Sequence, residues 1–204
     1  MTTIIGLTGH AGSGKDTVAA LLAERFNVCR IAFADSLKHE IAHAFGIARQ
    51  LLDDPYLKAV QTEQLALRNC TEPGFCAYSW GLAMLDAVTP RTIMQTWGDW
   101  RRGQDPDYFV TRTAEIMRTV ADDVDAIILT DCRFPNEAHL VTLLNGELWR
   151  VVRPGGPKPS RHPSEWLLDG HAVSAEIVND GSTEQLAKIA TDLFLYALGR
   201  REAA

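Results

Sequence analysis

The sequence predicts an α/β protein, a three-layer αβα sandwich around a mostly parallel sheet. Three observations predict it. An apolar run, Ile4-Ile5-Gly6-Leu7-Thr8, leads into Gly9-His10-Ala11-Gly12-Ser13-Gly14-Lys15-Asp16-Thr17, and Val18, Leu21, Leu22 and Phe26 follow at helical spacing. Further apolar runs at 126–131 and 147–152 alternate with helical patterns, as strands do in a parallel sheet. The run at 126–131 ends on an acid, at the strand edge where open α/β folds bind ligands.

Composition sets the outer bounds. The 204 residues are 46% hydrophobic and 23% charged, enough for one domain with a good core. A net charge of −6 argues against a general nucleic-acid binder but leaves room for a local basic pocket. Cys29, Cys70, Cys76 and Cys132 form no CxxC pair and are expected to be reduced thiols of a cytosolic protein. The N-terminus lacks a signal-peptide pattern, and no apolar run approaches membrane-spanning length.

The first unit is a strand at 3–8, a glycine-rich loop at 9–15 and a helix at 16–26. Glycines let backbone N–H groups close around phosphate oxygens, the helix start adds partial positive charge, and Lys15 adds a full one. Gly12, Ser13, Gly14, Lys15, Asp16 and Thr17 are therefore candidate nucleotide-binding residues of a phosphate-binding loop. A glycine-rich turn before an ordinary helix is the plain alternative. The usual pattern has Ser or Thr after the lysine to hold Mg²⁺. Here Asp16 stands there and Thr17 comes one residue later, so the metal is expected to be held differently.

A short strand at 29–33 follows and ends near Asp35. Ser36 is the expected cap of a helix at 37–45, and capping alone is the plain account of Asp35 and Ser36. The stretch 47–88 shows little strand pattern. A helix is expected over 49–68, with Pro55 near a helix start, and a loop over 70–80. Thr89-Pro90-Arg91 opens a new helix, capped by Thr89. Arg91 and Gln95 share one of its faces, and Arg102 lies towards its end. With Trp97 and Trp100 in the same segment, a pocket and a solvated arginine surface are both open readings. The next helix starts at Pro106-Asp107, with Phe109, Thr113, Ile116, Met117 and Val120 on its apolar side.

The strand at 126–131 ends in Asp131, placed to reach Mg²⁺ or its bound water, or simply to cap a helix. Arg133 follows two residues on. A helix at 134–144, a strand at 147–152, a surface loop or lid and a last short strand at 175–178 complete the sheet. Arg161, His162 and Glu165 are the candidate groups of the lid, His162 as a polar loop residue rather than a base. Ser182 and Gln185 form a capping box for the final helix, which is expected to end near Gly199. The expected layout is a single P-loop domain over 1–204. Its core is 1–35 and 89–204, with a helical acceptor-binding insertion at about 36–88 and a lid at about 154–170.

A phosphate loop alone indicates nucleotide binding and does not separate a kinase from other users of the loop. There is no Asn/Thr-Lys-x-Asp motif for reading guanine. A short chain with an insertion and a lid suits two small substrates. Arg91, Arg102, Arg133, Arg153 and Arg161 are spread over separated segments, and phosphoryl transfer needs such charge where water is excluded.

The ordered motifs resemble those of the phage-type deoxynucleoside monophosphate kinases. They are Gly12-Ser13-Gly14-Lys15-Asp16-Thr17, Phe33-Ala34-Asp35-Ser36-Leu37-Lys38, Arg91-x-x-Met94-Gln95-x-x-Gly98, Asp131-x-Arg133, Val151-Val152-Arg153-Pro154-Gly155, His162-x-Ser164-Glu165 and Asn179-Asp180-Gly181-Ser182. They run in family order along nearly the whole chain, while 47–80 matches nothing. The wider relatives are adenylate-kinase-like enzymes, including dephospho-coenzyme A kinase and phosphomevalonate kinase. The Asp16-Thr17 ending is shared with part of that group.

The resemblance implies transfer of the ATP γ-phosphoryl group to a deoxynucleoside 5′-monophosphate, with Mg²⁺, in the cytoplasm (the host's, if the chain is viral). It implies catalytic roles for Lys15, Arg91, Asp131 and Arg133. It implies donor contacts from the loop, Arg153, Asn179, Asp180, Gly181 and Ser182. Acceptor contacts would come from Asp35, Lys38, Arg91, Gln95, Arg102, Arg133, Arg161 and Glu165, and Asp131 with Asp16 would hold Mg²⁺ through water. No strong base is needed for a phosphate acceptor; a hydroxyl acceptor would need one, with Asp35 the candidate. The implied partner is a small nucleotide, with no nucleic acid and no membrane, and a homodimer stays open. A related small-molecule kinase and a non-catalytic nucleotide-binding module are the alternatives.

Overall fold

The computed structural model describes residues 2–158 and 161–202. Residues 159 and 160 of the expected lid lie outside the described residues. In chain order the elements are β1 (Thr3–Thr8), α1 (Lys15–Ala23), β2 (Val28–Ile31), α2 (Ala34–Phe45), α3 (Gln50–Asp53), α4 (Pro73–Tyr78), α5 (Pro90–Gln104), α6 (Tyr108–Val120), β3 (Ala126–Leu129), α7 (Pro135–Leu143), β4 (Glu147–Val152), β5 (Ala175–Val178) and α8 (Thr183–Glu202). Short 3₁₀ turns fall between some of them. The chain divides into two compact units: residues up to Phe33 with those from Arg112 onward, and Ala34–Thr111.

The first unit holds the sheet, in strand order β2-β3-β1-β4-β5 with every pairing parallel. All six residues of β1 are buried, as a central parallel strand covered on both faces requires. On one face Ile5, Leu7, Ile128, Trp149, Val151 and Ile177 pack with Val18 and Leu22 of α1 and Leu186, Ala190 and Phe194 of α8. The other face receives α7. A Cβ on Gly6 would lie 2.8 Å from Val141, so glycine is what lets that helix approach β1. The three-layer αβα architecture is thereby present. From β1 the chain moves to one side, through β2 and β3, and then to the other, through β4 and β5. The carboxyl end of β1 is the switch point of such a sheet.

Several expected bounds shift. β2 ends at Ile31 rather than at 33, because the Phe33 N–H donates to Asp131 Oδ1 at 2.7 Å instead of to the ladder. β3 ends at Leu129, and Asp131 lies in the turn beyond it. α2 already starts at Ala34, so Asp35 sits in the first turn, where its charge meets the positive helix end, and Ser36 is inside the helix rather than its cap. Ile116 of α6 is 38% exposed, whereas Phe109, Thr113 and Met117 are buried as expected. The Ser182–Gln185 capping box forms in both directions, at 2.8 and 3.3 Å, and α8 runs on past Gly199 to Glu202.

The second unit departs most from expectation. Of the helix expected over 49–68, only α3 is α-helical; 3₁₀ turns follow at Glu63–Leu65 and Leu67–Asn69. Pro55 disfavours helical backbone at the preceding residue, and Asp54 is extended, so the helix stops. The loop expected over 70–80 contains α4, started by Pro73 and capped by the Glu72 side chain, which accepts from the Gly74 N–H. The insertion expected at 36–88 is a unit of 34–111 that includes α5. The physical reason is the apolar face of α5: Ile93, Trp97 and Trp100, at i, i+4 and i+7, are all buried. Trp97 and Trp100 stack with Phe75 at centroid distances of 4.5 and 5.7 Å. These tryptophans are core, not pocket walls.

Glu40 of α2 fastens that core. It accepts from Trp97 Nε1 and from Arg101 Nε, both at 2.8 Å, and from the Tyr108 hydroxyl. The Arg101 guanidinium lies 4.3 Å from the Trp100 ring centroid. Glu40→Ala strands three donors, one of them charged. It should lower the unfolding free energy by about 2–3 kcal/mol, read as a fall in the urea midpoint; an unchanged midpoint would mean the network contributes nothing net.

Candidate active site

The loop after β1 is shaped by glycine backbone. Gly9 has φ +129°, and a Cβ there would lie 2.2 Å from the Val151 carbonyl oxygen. Gly14 has φ +108°, and a Cβ there would meet the Asn179 amide at 2.4 Å. No L side chain fits either position. α1 then begins on Lys15, so its ammonium belongs to the first turn. Lys15 is only 7% exposed, and its Nζ donates to the carbonyls of Gly9 at 2.7 Å and His10 at 2.9 Å. Burial, and then the charge of Arg133, pull its pKa down to about 8, against the opposing pull of Asp16, Glu165 and Asp131.

Three neighbours hold the loop. Asn179, at the end of β5, donates from Nδ2 to the Ser13 carbonyl at 2.8 Å. The turn after β3 is joined to β1 by the Cys132 N–H, which donates to the Leu7 carbonyl at 3.0 Å. This bond, with the β1–β3 pairing, brings Asp131 and Arg133 to the edge where the loop sits. The buried Glu137 of α7 fixes that turn by accepting the N–H groups of Arg133 at 2.7 Å and Phe134 at 3.1 Å.

The third neighbour is the segment 161–169. Glu165 accepts the Ala11 N–H at 2.9 Å with one carboxylate oxygen and the Arg133 guanidinium with the other. Its backbone carbonyl is 2.8 Å from His10 Nδ1, and Trp166 lies edge-on to the His10 ring at 5.3 Å. Arg150 anchors the same segment through the carbonyls of Leu168 and His171 at 2.7 and 2.9 Å. Burial pushes the Glu165 carboxyl up, but Arg133 and the Ala11 N–H outweigh it and hold the group below the usual range. Burial disfavours the Arg133 charge, and Glu165 with Asp131 restore it. His162 turns its ring to Ser164 at 2.8 Å and caps the 3₁₀ turn 163–165, a structural role.

The loop, Arg133, Arg150, Arg153 and Glu165 line a cavity of about 470 Å³. Within the loop, Ser13 Oγ is buried with no hydrogen-bond partner. Buried polar atoms are rarely left so, and this one suits a ligand oxygen. Arg153 is exposed at the cavity wall, Arg161 is exposed, and the side chains of Asp16 and Thr17 face solvent. Asp180, Gly181 and Ser182 are exposed in the turn before α8.

The expected acceptor residues Asp35, Lys38, Arg91, Gln95 and Arg102 belong to the second unit. Arg49 bridges Asp35 and Asp53, and Lys38 joins Asp53 at 2.8 Å. Burial raises the Asp53 carboxyl, but Lys38 and Arg49 hold it below its usual value. Arg91 is exposed near the start of α5, Gln95 is half-buried one turn on, and Arg102 lies 4.8 Å from the Phe109 ring centroid. Sequence reading missed Arg49, Glu137 and the loop contact of Asn179. Only Glu137 left a trace, as the third helical residue of a capping pattern on α7.

Mg²⁺ usually keeps several waters and takes one or two carboxylates together with substrate phosphates. Among the described residues no group of three or more His, Cys, Asp or Glu is arranged to hold a metal. Asp131, at the loop's edge, fits that sparse mode of binding, and Asp16 is an exposed carboxylate beside the loop, whereas Glu165 is already engaged by Ala11 and Arg133.

No family model matches the chain. A protein of Acanthamoeba polyphaga mimivirus, named as a candidate deoxynucleotide monophosphate kinase, is 28% identical over 194 residues, covering 89% of this chain and 91% of its own. The deoxynucleoside-5′-monophosphate kinase of Escherichia phage T5 is 26% identical over 226 aligned positions, covering 88% and 90%. Among solved structures, a Thermus thermophilus protein covers 96% of this chain and 97% of its own, with TM-score 0.49 and 17% identity. An unliganded sugar kinase from a Janibacter species covers 94% of each, with TM-score 0.39 and 17% identity. The resemblance carried by the ordered motifs is borne out: over about nine tenths of its length the chain is similar to viral proteins named as deoxynucleotide and deoxynucleoside monophosphate kinases.

Proposed function

We propose that this protein transfers the γ-phosphoryl group of ATP to a deoxynucleoside 5′-monophosphate, giving ADP and the deoxynucleoside diphosphate. The observation that carries the reading is the buried, charged Lys15 in a glycine-shaped loop, in a chain similar to two viral kinases along nearly its whole length. An oxygen of the acceptor phosphate attacks the γ-phosphorus while the bond to the β–γ bridging oxygen breaks. The attacking oxygen is already anionic near neutral pH, so no residue need act as a strong base. The protein's work is positioning and charge neutralisation.

On this reading Lys15 and the loop amides hold the donor phosphates, Ser13 Oγ gains its missing partner there, and Arg133 steadies charge on the moving group. Thr17 contacts a phosphate or orders the metal's water, and Arg153, on the donor side, closes with the lid together with Arg161, on the acceptor side. Asn179 and the turn through Asp180, Gly181 and Ser182 border the adenine. Asp35, Lys38, Arg91, Gln95 and Arg102 serve the acceptor. Asp131 and Asp16 would hold Mg²⁺ through water, and the ion would supply charge compensation on the phosphates. The working setting is the cytoplasm, that of a host cell for a viral chain. Among the described residues no helix is long and apolar enough to cross a membrane.

The test is an ADP-release assay with ATP, Mg²⁺, the four common deoxynucleoside monophosphates, their ribonucleotide counterparts and dephospho-coenzyme A. Turnover with one or more deoxynucleotides is expected. Turnover with dephospho-coenzyme A alone would move the assignment to a hydroxyl-acceptor kinase, and none from ATP-binding protein would leave a binding module. Lys15→Ala should cut kcat by about 100- to 1,000-fold; near-normal turnover would remove the loop from the chemistry.

The lowered pKa of Lys15 adds a pH signature. Below about 8 the free protein carries the ammonium that phosphates need; above it the lysine is neutral, and binding must take up a proton. Affinity for ADP should therefore fall by about tenfold per pH unit above pH 8, up to the raised pKa of the complex. Lys15→Arg, charged throughout, should flatten that slope in calorimetry from pH 7 to 9.5. An equally steep slope in the variant would assign the effect to another group.

A further inference from the structure

Glu165 holds the site in a way that a lid residue awaiting substrate need not. Its carboxylate is almost fully buried, with 5% of the side chain exposed, and both oxygens are engaged. One takes an N–H of the phosphate loop itself, at Ala11. The other takes Arg133. Lys15 lies close enough to stabilise the same charge. A loop amide, a guanidinium and a lysine together are the donor set that binds a phosphate, and the guanidinium fork accepts carboxylate and phosphate alike.

We propose that the Glu165 carboxylate is an internal competitor for the phosphate site, holding the Ala11 amide and Arg133 until a phosphate of the bound donor takes both. The inference rests on the phosphate-loop reading above and deepens it. Two further observations support an exchange rather than a permanent tie. The carboxylate has two oxygens and leaves Ser13 Oγ unserved, whereas a terminal phosphate has three and reaches more donors. The segment that carries Glu165 also has its own attachment, through Arg150 to the carbonyls of Leu168 and His171. That attachment persists when the carboxylate lets go. The site thus mostly holds Lys15 and Arg133 with an extra counter-anion: Glu165 supplies it at rest and the nucleotide supplies it in use.

A competitor and a mere support make opposite predictions. If Glu165 only props Arg133, removing it weakens phosphate binding. If it competes, removing it strengthens binding by the inverse of the unlatched fraction, about tenfold where a tenth of the molecules are unlatched at rest. The probe is inorganic tripolyphosphate, with ADP alongside, titrated calorimetrically into the full chain, Glu165→Gln and Glu165→Asp. Glutamine removes the charge at constant shape, and aspartate keeps the charge but withdraws it by one methylene. Both variants should bind tripolyphosphate about tenfold more tightly than the parent. Binding equal to the parent or weaker, in whichever variant folds, overturns the proposal. Lys15→Ala in the same titration separates the two levels of the argument: if it binds as well as the parent, the phosphate-loop reading itself has failed.

Discussion

A buried lysine charge governs the first unit. The Lys15 ammonium is taken out of water at the N-terminus of α1, where the helix dipole has the same sign, and Arg133 adds a second positive charge beside it. Such a cation persists only with compensation. The Gly9 and His10 carbonyls turn inward to accept from it, and Glu165, Asp131 and Asp16 lend opposing charge. The loop needs left-handed backbone to present those carbonyls, and glycine supplies it. The sheet then needs Cys132 bonded to the end of β1, so that Asp131 and Arg133 arrive at the same edge. Fold and site answer to one electrostatic requirement.

The parts legible in sequence were those written in local periodicity or turn chemistry. β1, β4 and β5 match their predicted bounds because each is a short apolar run closed by a turn. The cap at Thr89 and the box at Ser182–Gln185 form as their residues demand. The glycine-shaped loop before α1 was legible because backbone, charge and helix start coincide within seven residues. Misreadings arose where one residue type serves two ends. Tryptophan beside arginine left a pocket and a solvated surface both open, yet Trp97 and Trp100 share a buried stripe with Ile93. Pro55 looked like a helix start, yet its effect on Asp54 ends α3.

The site's supporting contacts were illegible for a different reason. Asn179 reaches Ser13 across 166 positions and Glu165 reaches Ala11 across 154, and no local pattern carries such pairings. They follow from the strand order, since β5 and the segment before it return to the edge where β1 ends. Glu137 falls between the two cases. Its capping position is visible in sequence, but that the cap steadies the Arg133 backbone emerges only from the fold.

Two hydrogen-bonded carboxylates, Glu40 with 19% of its side chain exposed and Glu165 with 5%, make the distinction between structure and function concrete. Glu40 is held by an indole N–H, a phenol and a guanidinium already packed over aromatic rings. Those donors lie within the aromatic packing of the second unit, so the network fixes α2 against α5. Glu165 is held by a loop amide and a guanidinium whose stronger ligand, on the proposed function, is a phosphate. Engagement of both carboxylate oxygens therefore has unequal meaning. A carboxylate whose donors are matched to carboxylate is a rivet, and one whose donors are matched to a more highly charged anion is a placeholder. The cost of burying an acid at the second kind of site is reasonable only if the alternative, two cations opposed by Asp131 and Asp16 alone, costs more. The lowered pKa of Lys15, which persists even with Glu165 beside it, indicates how unfavourable that alternative is.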